Sequence, residues 1–445
     1  MKNYKKVYAA FILAGGLILH GCNGIFDDLA INPNQPSMGA YFTSPSAVND
    51  AVMTMYGYMS TQRCLGASGS KTTIIRSDEA SSNSDYGKPG MFGADLNASY
   101  YTIEQPYTLM YTTASQASYI IETAPSVDFS GNEELRNAYM GEAYFWRAFA
   151  HYYLLINFRN ISPIRQMPRN GDDYVRPLEK PAAVWNFIQE DLAHAKELLP
   201  VKGYWDSKNA GRVTKASAAA LLGKAYLYRS GIEQYYGEDK TTFYSEAAKE
   251  FGDVIDGKYG TYDLTKNYAD NFDVAHENNE ESILEFQFLG DVDNAGFNPG
   301  LATSGLAFDS RGLMLPGAGV GYEGVVHNWL YNAFVNSVDK DGYTDIRMFS
   351  TMIFNDLDAS IHLRNDAGGN PVRLEGPGGY KWEELYPAKN GKEGFATVSN
   401  PLAHSFKAGI RKGIDCSMPT QTEADGTPKL VGVGAGVKEY VYNQP

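Results

Sequence analysis

Apolar side chains recur at helical spacing through much of the first 260 residues. The run after Pro45 is the first example, and one face of it carries Ala47, Val48, Ala51, Val52 and Met55. The same pattern predicts further helices over about 109–123, 133–158, 182–199, 216–231 and 242–256. Thr214 is placed to cap one of these helices, and Gly257 to end another. The pattern therefore predicts a mainly α fold.

The last two predicted helices carry the pattern of a tetratricopeptide hairpin. Small and large side chains that interlock across such a pair are Leu222, Gly223 and Tyr226 in the first helix and Tyr244, Ala247, Phe251 and Val254 in the second. The spacing between the two halves is longer than in the usual repeat, and the pattern also fits two ordinary amphipathic helices. We expect a tetratricopeptide-like helical-repeat scaffold over 41–260, with a loop insertion near 64–108.

The texture of the chain changes after residue 260. Residues 282–288 alternate between polar and apolar side chains, which predicts a strand. Residues 290–325 and 365–400 are rich in glycine, with scattered aromatic side chains. Long loops of this kind beside a helical scaffold often carry binding residues. We therefore expect 261–445 to be a loop-rich ligand-binding region with a few short strands.

The N-terminus has the organisation of a secretory signal. A positive start made of Lys2, Lys5 and Lys6 precedes the apolar run 7–19, which is too short to span a bilayer. The run ends in Leu-His-Gly-Cys at Cys22, which looks like a bacterial lipobox. We expect a lipoprotein signal peptide over 1–21, acylation of Cys22 and a tether over 22–40. The alternative is an ordinary secretory signal with a chance cysteine.

Charge and motifs exclude several classes of function. The net charge is −14, which repels nucleic-acid phosphates. Residues 66–72 lack the glycine that a phosphate-binding loop needs before Lys71, and His276 has no second histidine at metalloprotease spacing. We expect no catalytic residues, no metal site and no cofactor. Cys64 and Cys416 are expected to be packed free thiols, although one disulfide between them is also compatible with the sequence.

Aromatic side chains in the glycine-rich loops suit a sugar ligand. Sugars offer apolar C–H faces to flat rings and hydroxyls to amide, carboxylate or guanidinium groups. Each of these rings could instead be a core anchor beneath its loop. The candidate ligand-binding residues are Asn83, Asp85, Tyr86, Phe92, Tyr101, Phe297, Asn298, Arg311, Tyr322 and Trp329.

Several blocks resemble, in order, the SusD/RagB family of outer-membrane lipoproteins. The block at 142–148 (EAYFWRA) is close to the family's E-A-x-F-x-R-A signature. Arg159 and Asn160 stand where the family usually has glycine before a turn. The chain ends at Pro445, where the family continues into another helical block, so we expect it to be C-terminally truncated relative to its relatives. The other matching blocks are 26–29, 32–34, 41–52, 161–163, 185–192, 199–200, 211–215 and 281–285, with a looser match at 341–351.

The resemblance implies a surface-exposed lipoprotein anchored in the outer membrane. Such a protein captures an oligosaccharide and delivers it to a SusC-type TonB-dependent transporter, without performing any chemistry. Some members of the family capture peptides instead, and a surface glycoside hydrolase is a more distant alternative. The expected partners are therefore the transporter, the membrane and an oligosaccharide or peptide ligand.

Overall fold

The computed structural model describes residues 42–61, 99–167, 175–237 and 240–287, apart from 267 and 273–275, together with short pieces of the rest of the chain. In this part the chain forms a stack of α-helices, and single 3-10 turns lie at Ala124–Ser126, Ser207–Asn209 and Tyr268–Phe272. No described helix is both long and apolar enough to cross a membrane. The helices are α1 Pro45–Ser60, α2 Tyr101–Thr123, α3 Glu133–Phe158, α4 Pro181–Leu198, α5 Lys215–Tyr236 and α6 Tyr244–Ile255.

Local capping explains where several helices begin. Ser44 Oγ accepts the Ala47 N–H at the start of α1, and Asn132 Oδ1 accepts the Leu135 N–H at the start of α3. Thr214 lies at the start of α5 as predicted, where its N–H donates to Ser217 Oγ at 3.1 Å. These contacts satisfy backbone groups that a helix end leaves without partners.

Two sequence-based expectations were wrong in detail. Helix α2 begins at Tyr101, eight residues before the expected start, and it continues through Pro106, which lies inside it. Residues 282–287 form no strand. Their alternation instead lets Leu284 and Phe286 pack on the helical core, while Ser217 Oγ donates to the Ile283 carbonyl.

Each helix packs mainly on the next helix along the chain, from α2 on α3 to α5 on α6. Close approach depends on small side chains at the crossings. A Cβ at Gly223 would lie 2.8 Å from the Phe251 ring, and one at Gly141 would lie 2.9 Å from Leu199. The α5–α6 pair thus interlocks as the tetratricopeptide pattern predicted, and the predicted mainly α, tetratricopeptide-like fold is confirmed. Fully buried large side chains fill the centre of the stack: Met55, Met110, Phe145, Trp146, Trp185 and Ile188.

The described strands are short and antiparallel. They are β1 Ala80–Ser81, β2 Val325–Val326, β3 Met352–Phe354, β4 Ala408–Ile410, β5 Leu430–Gly434 and β6 Val437–Tyr440. Strands β1 to β4 form one sheet in the order β1-β2-β4-β3, with Ala80 opposite Val326 and Ile353 opposite Gly409. Strands β5 and β6 form a hairpin in which Val431 lies opposite Glu439.

Candidate functional site

A buried arginine–glutamate pair connects α3 to the start of α5. Arg212 donates from Nε and Nη2 to the two carboxylate oxygens of Glu142, at 2.9 and 2.5 Å. Tyr56 Oη donates to the same carboxylate at 2.7 Å and accepts the Val213 N–H at 2.8 Å. Trp205 lies against the guanidinium, whose carbon is 4.3 Å from a ring centroid. We call this group the inner clamp, and it ties α1, α3 and α5 together.

Burial governs the protonation of the inner clamp. Burial raises the pKa of Glu142 above its ordinary value, against the lowering by Arg212 and by the hydrogen bond from Tyr56. The phenol of Tyr56 has its pKa raised well above 10.0, by burial first and then by the Glu142 charge. Tyr56 therefore stays a donor to Glu142 across the physiological range. Such a carboxylate holds the fold and has no open side for a substrate.

A second buried pair connects α3 to α4. Arg147 donates from Nε and Nη2 to the two oxygens of Asp191, both at 2.7 Å. The next turn of α3 carries His151, whose Nε2 accepts the Ile164 N–H at 2.9 Å. His151 Nδ1 lies 2.8 Å from the Arg147 carbonyl, so this nitrogen carries the proton. Burial lowers the pKa of His151 to about 3, which keeps the ring neutral.

A second arginine–glutamate pair lies at the C-terminal end of α3. Arg159 donates from Nη1 and Nη2 to the two oxygens of Glu233 in α5, at 2.7 and 3.0 Å. Trp185 Nε1 donates to the same carboxylate at 2.8 Å. The Glu233 side chain is 1% exposed and the Arg159 side chain 22%. This pair, unlike the inner clamp, reaches the surface.

The surface beside Arg159 is an open groove with a volume of about 580 Å³, between the end of α3 and the C-terminal half of α5. Four tyrosines line it and leave large parts of their rings in solvent: Tyr228, Tyr235, Tyr236 and Tyr244. Ile156, Leu227 and Ile232 add apolar surface. We call it the tyrosine groove, and its size falls within the range of small-molecule sites.

The guanidinium of Arg159 covers one of these rings. Its carbon lies 4.2 Å from the centroid of Tyr236, whose ring stands edge-on to that of Tyr235 at 5.2 Å. The backbone of Arg159 has φ +61° and ψ −79°, a conformation that residues other than glycine rarely adopt. The ion pair and the ring contact hold the side chain there. An aromatic wall with one guanidinium edge can stack a flat apolar face and donate hydrogen bonds.

Comparison with known proteins accounts for the helical part of the chain. A SusD-like family model, described as starch-binding and associating with the outer membrane, matches residues 31–227. A SusD-like protein of Bacteroides ovatus is 26% identical over 293 residues, which cover 65% of this chain and 51% of that protein. The chain therefore spans about half the length of this curated relative.

Solved structures show the same fold. A SusD superfamily protein from Bacteroides vulgatus superposes with a TM-score of 0.61 at 20% identity, covering 84% of this chain and 68% of that one. A laminarin-binding SusD-like protein gives a TM-score of 0.59 at 20% identity, covering 90% and 78%. Residues 31–227 of the chain match the SusD-like family model, and the chain shares the fold of SusD superfamily proteins. The family resemblance of the sequence blocks is thus confirmed.

The SusD-like signature blocks turn out to be structural. Glu142 and Arg147 of the E-A-x-F-x-R-A block are the α3 members of the two buried pairs, and their partners Arg212 and Asp191 come from two further matching blocks. Each motif therefore supplies one half of an ion pair between helices. Within the described residues, no group of three or more His, Cys, Asp or Glu side chains could hold a metal ion.

The predicted ligand-binding residues lie almost entirely outside the described residues. Only Tyr101 falls within them, as the first residue of α2. Cys22 and Cys416 are also outside this part of the chain, whereas Cys64 is a buried free thiol whose pKa burial raises to about 12. The candidates outside the described residues are Asn83, Asp85, Tyr86, Phe92, Phe297, Asn298, Arg311, Tyr322 and Trp329.

The tyrosine groove was not among the sites predicted from the sequence. The signal was present, because residues 226–244 contain five tyrosines. Helical periodicity assigned Tyr226 and Tyr244 to the predicted helices 216–231 and 242–256 and left Tyr235 and Tyr236 in the loop between them. Tyr226 packs on the core and stacks on Phe243. Helix α5 continues beyond the predicted end to Tyr236, and Tyr235 is 85% exposed on its last turn.

Proposed function

We propose that this SusD-like chain is a cell-surface lipoprotein that binds a glycan and delivers it to a SusC-type TonB-dependent transporter. The observation that carries the proposal is the family match over the helical scaffold, residues 31–227, to a model described as starch-binding and associating with the outer membrane. A laminarin-binding protein with the same fold supports a glucan as the first ligand to test. The anchor in this proposal is an acylated Cys22.

Binding without chemistry is the second part of the proposal. The buried carboxylates Glu142, Asp191 and Glu233 each accept two hydrogen bonds from one arginine, so they are committed to the fold. A glycoside hydrolase needs two carboxyl groups that face the scissile bond from either side. The aromatic residues of the loops suit stacking on sugar faces, which requires no acid or base.

Calorimetric titration with laminarin, starch and a peptide mixture tests the binding. We expect heat from at least one glucan and weaker binding after Phe297→Ala combined with Trp329→Ala. Leu178→Ala, which removes an exposed side chain of the scaffold, is the matched control and should bind like the parent. Binding of peptides alone would replace the glycan with a peptide ligand. Release of shorter sugars that stops after one carboxylate is changed would establish an enzyme instead.

Anchoring and partnership have separate readouts. Mass spectrometry of the protein from bacterial membranes should show acyl chains on Cys22, and Cys22→Ser should move the protein out of the membrane fraction. Affinity purification through this chain should recover a TonB-dependent barrel from the same membranes. Recovery of an unmodified Cys22 in the soluble fraction would contradict the anchor without affecting the glycan titration.

A further inference from the structure

We propose that the tyrosine groove is a binding surface for a neutral sugar chain, separate from the loop residues predicted above. The inference rests on the proposed function and adds a location within the helical scaffold. It is carried by the exposed rings, by the guanidinium edge and by the charge balance of the groove.

The rings have the exposure that stacking requires. Tyr235 is 85% exposed, Tyr236 56% and Tyr244 46%, and all three line the same groove as the apolar side chains described above. A phenol combines a flat apolar face with a polar tip, so it can cover the C–H face of a sugar while staying hydrated. The rings of Tyr235 and Tyr236 stand at 88° to each other, so the wall presents faces in two directions.

Arg159 supplies hydrogen-bond donors at one end of the groove. A guanidinium has five N–H groups, and the end-on pairing with Glu233 uses one on Nη1 and one on Nη2. The remaining N–H groups, including the one on Nε, are not taken by Glu233. Sugar hydroxyls are acceptors of suitable size for such donors. The ion pair also fixes the direction in which the donors point.

The charge of the groove favours a neutral ligand. Among the described residues that line the groove, Arg159 is the only basic one, and Glu233 compensates that charge through the bidentate pair. An anionic ligand would meet no surplus positive charge, and the protein as a whole carries a net charge of −14. A cationic peptide would meet no carboxylate among the described lining residues. A neutral polyol needs neither.

The strained backbone of Arg159 indicates that its side chain has a role in the groove. Glycine would adopt φ +61° without strain. Here an arginine takes the strained conformation, which costs on the order of a five- to 150-fold shift in a local equilibrium. Its side chain then lies over Tyr236 at the mouth of the groove.

The test uses the full chain with laminarihexaose, maltohexaose, cellohexaose and mannohexaose as probes. Titration calorimetry compares the parent with Tyr235→Ala combined with Tyr244→Ala, and with Tyr235→Phe. Tyr107→Ala is the matched control, since Tyr107 is a half-exposed tyrosine on α2 that does not line the groove. Hydroxyl-radical footprinting read by mass spectrometry reports directly on each ring.

We expect the double variant to bind a probe about tenfold more weakly, because two stacking contacts are lost. Tyr235→Phe and Tyr107→Ala should bind like the parent, and a bound probe should protect Tyr235 and Tyr244 but not Tyr107. Equal binding by parent and double variant, without protection, would overturn the groove and leave the proposed function standing. A parent that binds no glycan would overturn both. Protection by peptides alone would show a protein-docking surface, which also overturns the inference.

Discussion

The chain places two arginine–glutamate pairs along α3, one at Glu142 within the helix and one at its C-terminal end, and they have opposite surroundings. In the inner clamp the arginine and glutamate side chains are 4% and 0% exposed, and Tyr56, Trp205 and Asn49 complete their contacts. In the Arg159–Glu233 pair the glutamate is just as buried, but the arginine is 22% exposed and borders the tyrosine groove. The inner clamp has all its partners within the fold, whereas the outer pair keeps donors for a partner from solution.

The two pairs therefore have different roles. The inner clamp belongs to the sequence blocks that resemble SusD-like proteins, whereas the outer pair borders the proposed binding groove. The SusD-like signature residues Glu142, Arg147 and Arg212 lie inside the stack, where their charges decide which helices pair. A buried pair is costly to break but need not add net stability, because both charges lose their hydration. Its use is to fix one arrangement of α3, α4 and α5. The binding surface can then vary without disturbing that arrangement.

The largest effect should come from breaking the inner clamp. Glu142→Ala leaves Arg212 buried without its counter-charge, so we expect the free energy of unfolding to fall by about 3–5 kcal/mol. Urea unfolding at neutral pH, followed by circular dichroism, measures this loss.

Two variants control for the loss of a charge in general. Glu179→Ala removes a partner of the half-exposed Arg165–Glu179 pair and should cost less than about 1 kcal/mol. Glu142→Leu with Arg212→Met replaces both charges by apolar groups and should be more stable than Glu142→Ala. If Glu142→Ala costs no more than Glu179→Ala, the inner clamp does not hold the stack.

The next effect is a dependence on pH through His151. The ordinary histidine pKa is about 6.5, while burial lowers that of His151 to about 3 in the fold. Between these values the unfolded chain binds a proton that the folded chain excludes, so stability falls as the pH falls. From pH 6.5 to pH 5 the loss is about 2 kcal/mol.

The comparison of parent and His151→Gln isolates this effect. Glutamine can keep one donor and one acceptor in the same place but does not titrate. Glu142 and Asp191, whose pKa values burial raises, favour the fold at low pH and lose that contribution as the pH rises, equally in both proteins. The difference between the two proteins in urea should therefore shrink toward pH 5. A difference in unfolding free energy that stays constant from pH 6.5 to pH 5 would mean that His151 has the same pKa in the folded and the unfolded chain.

A smaller effect concerns the interlocked α5–α6 pair. Gly223→Ala would bring a Cβ to 2.8 Å from the Phe251 ring, so one of the helices must shift. We expect a loss of about 1–2 kcal/mol in the free energy of unfolding. Gly252→Ala on α6 is the matched control, because its Cβ meets nothing within 4 Å and alanine favours the helix by up to about 1 kcal/mol. Thermal unfolding of both variants should therefore shift in opposite directions.

The helical scaffold was readable from the sequence because its residues are buried in a regular pattern. The predicted helix 133–158 agrees with α3 at both ends, where Asn132 caps the start and Arg159 terminates the helix. The predicted start of α2 was eight residues late, and the missed stretch contains Pro106, a residue type that usually interrupts a helix. The alternation at 282–287 arises because Leu284 and Phe286 pack on helices. A strand was predicted wrongly because alternation alone does not show whether a partner strand exists.

The sites were less readable for a different reason. The ion pairs join residues as far apart as Glu142 and Arg212, and no local pattern states which of the 52 acids meets which of the 38 basic side chains. The tyrosine groove depends on rings that the neighbouring helices leave largely uncovered. Periodicity gives the helix face, whereas exposure depends on where the neighbouring helix ends.

The smallest effect lies at the outer pair and separates backbone strain from the loss of the charge. Arg159→Ala and Arg159→Gly both remove the guanidinium and leave Glu233 with Trp185 Nε1. Alanine must hold φ +61°, whereas glycine does so freely, so the glycine variant should be more stable by about 1 kcal/mol. Gly203→Ala, at φ +95° in open space, should cost a similar amount and calibrates the strain. Equal stability of the two Arg159 variants would show that the helix end relaxes. Both variants should lose the same part of any sugar binding in the groove, because the donors are absent in each.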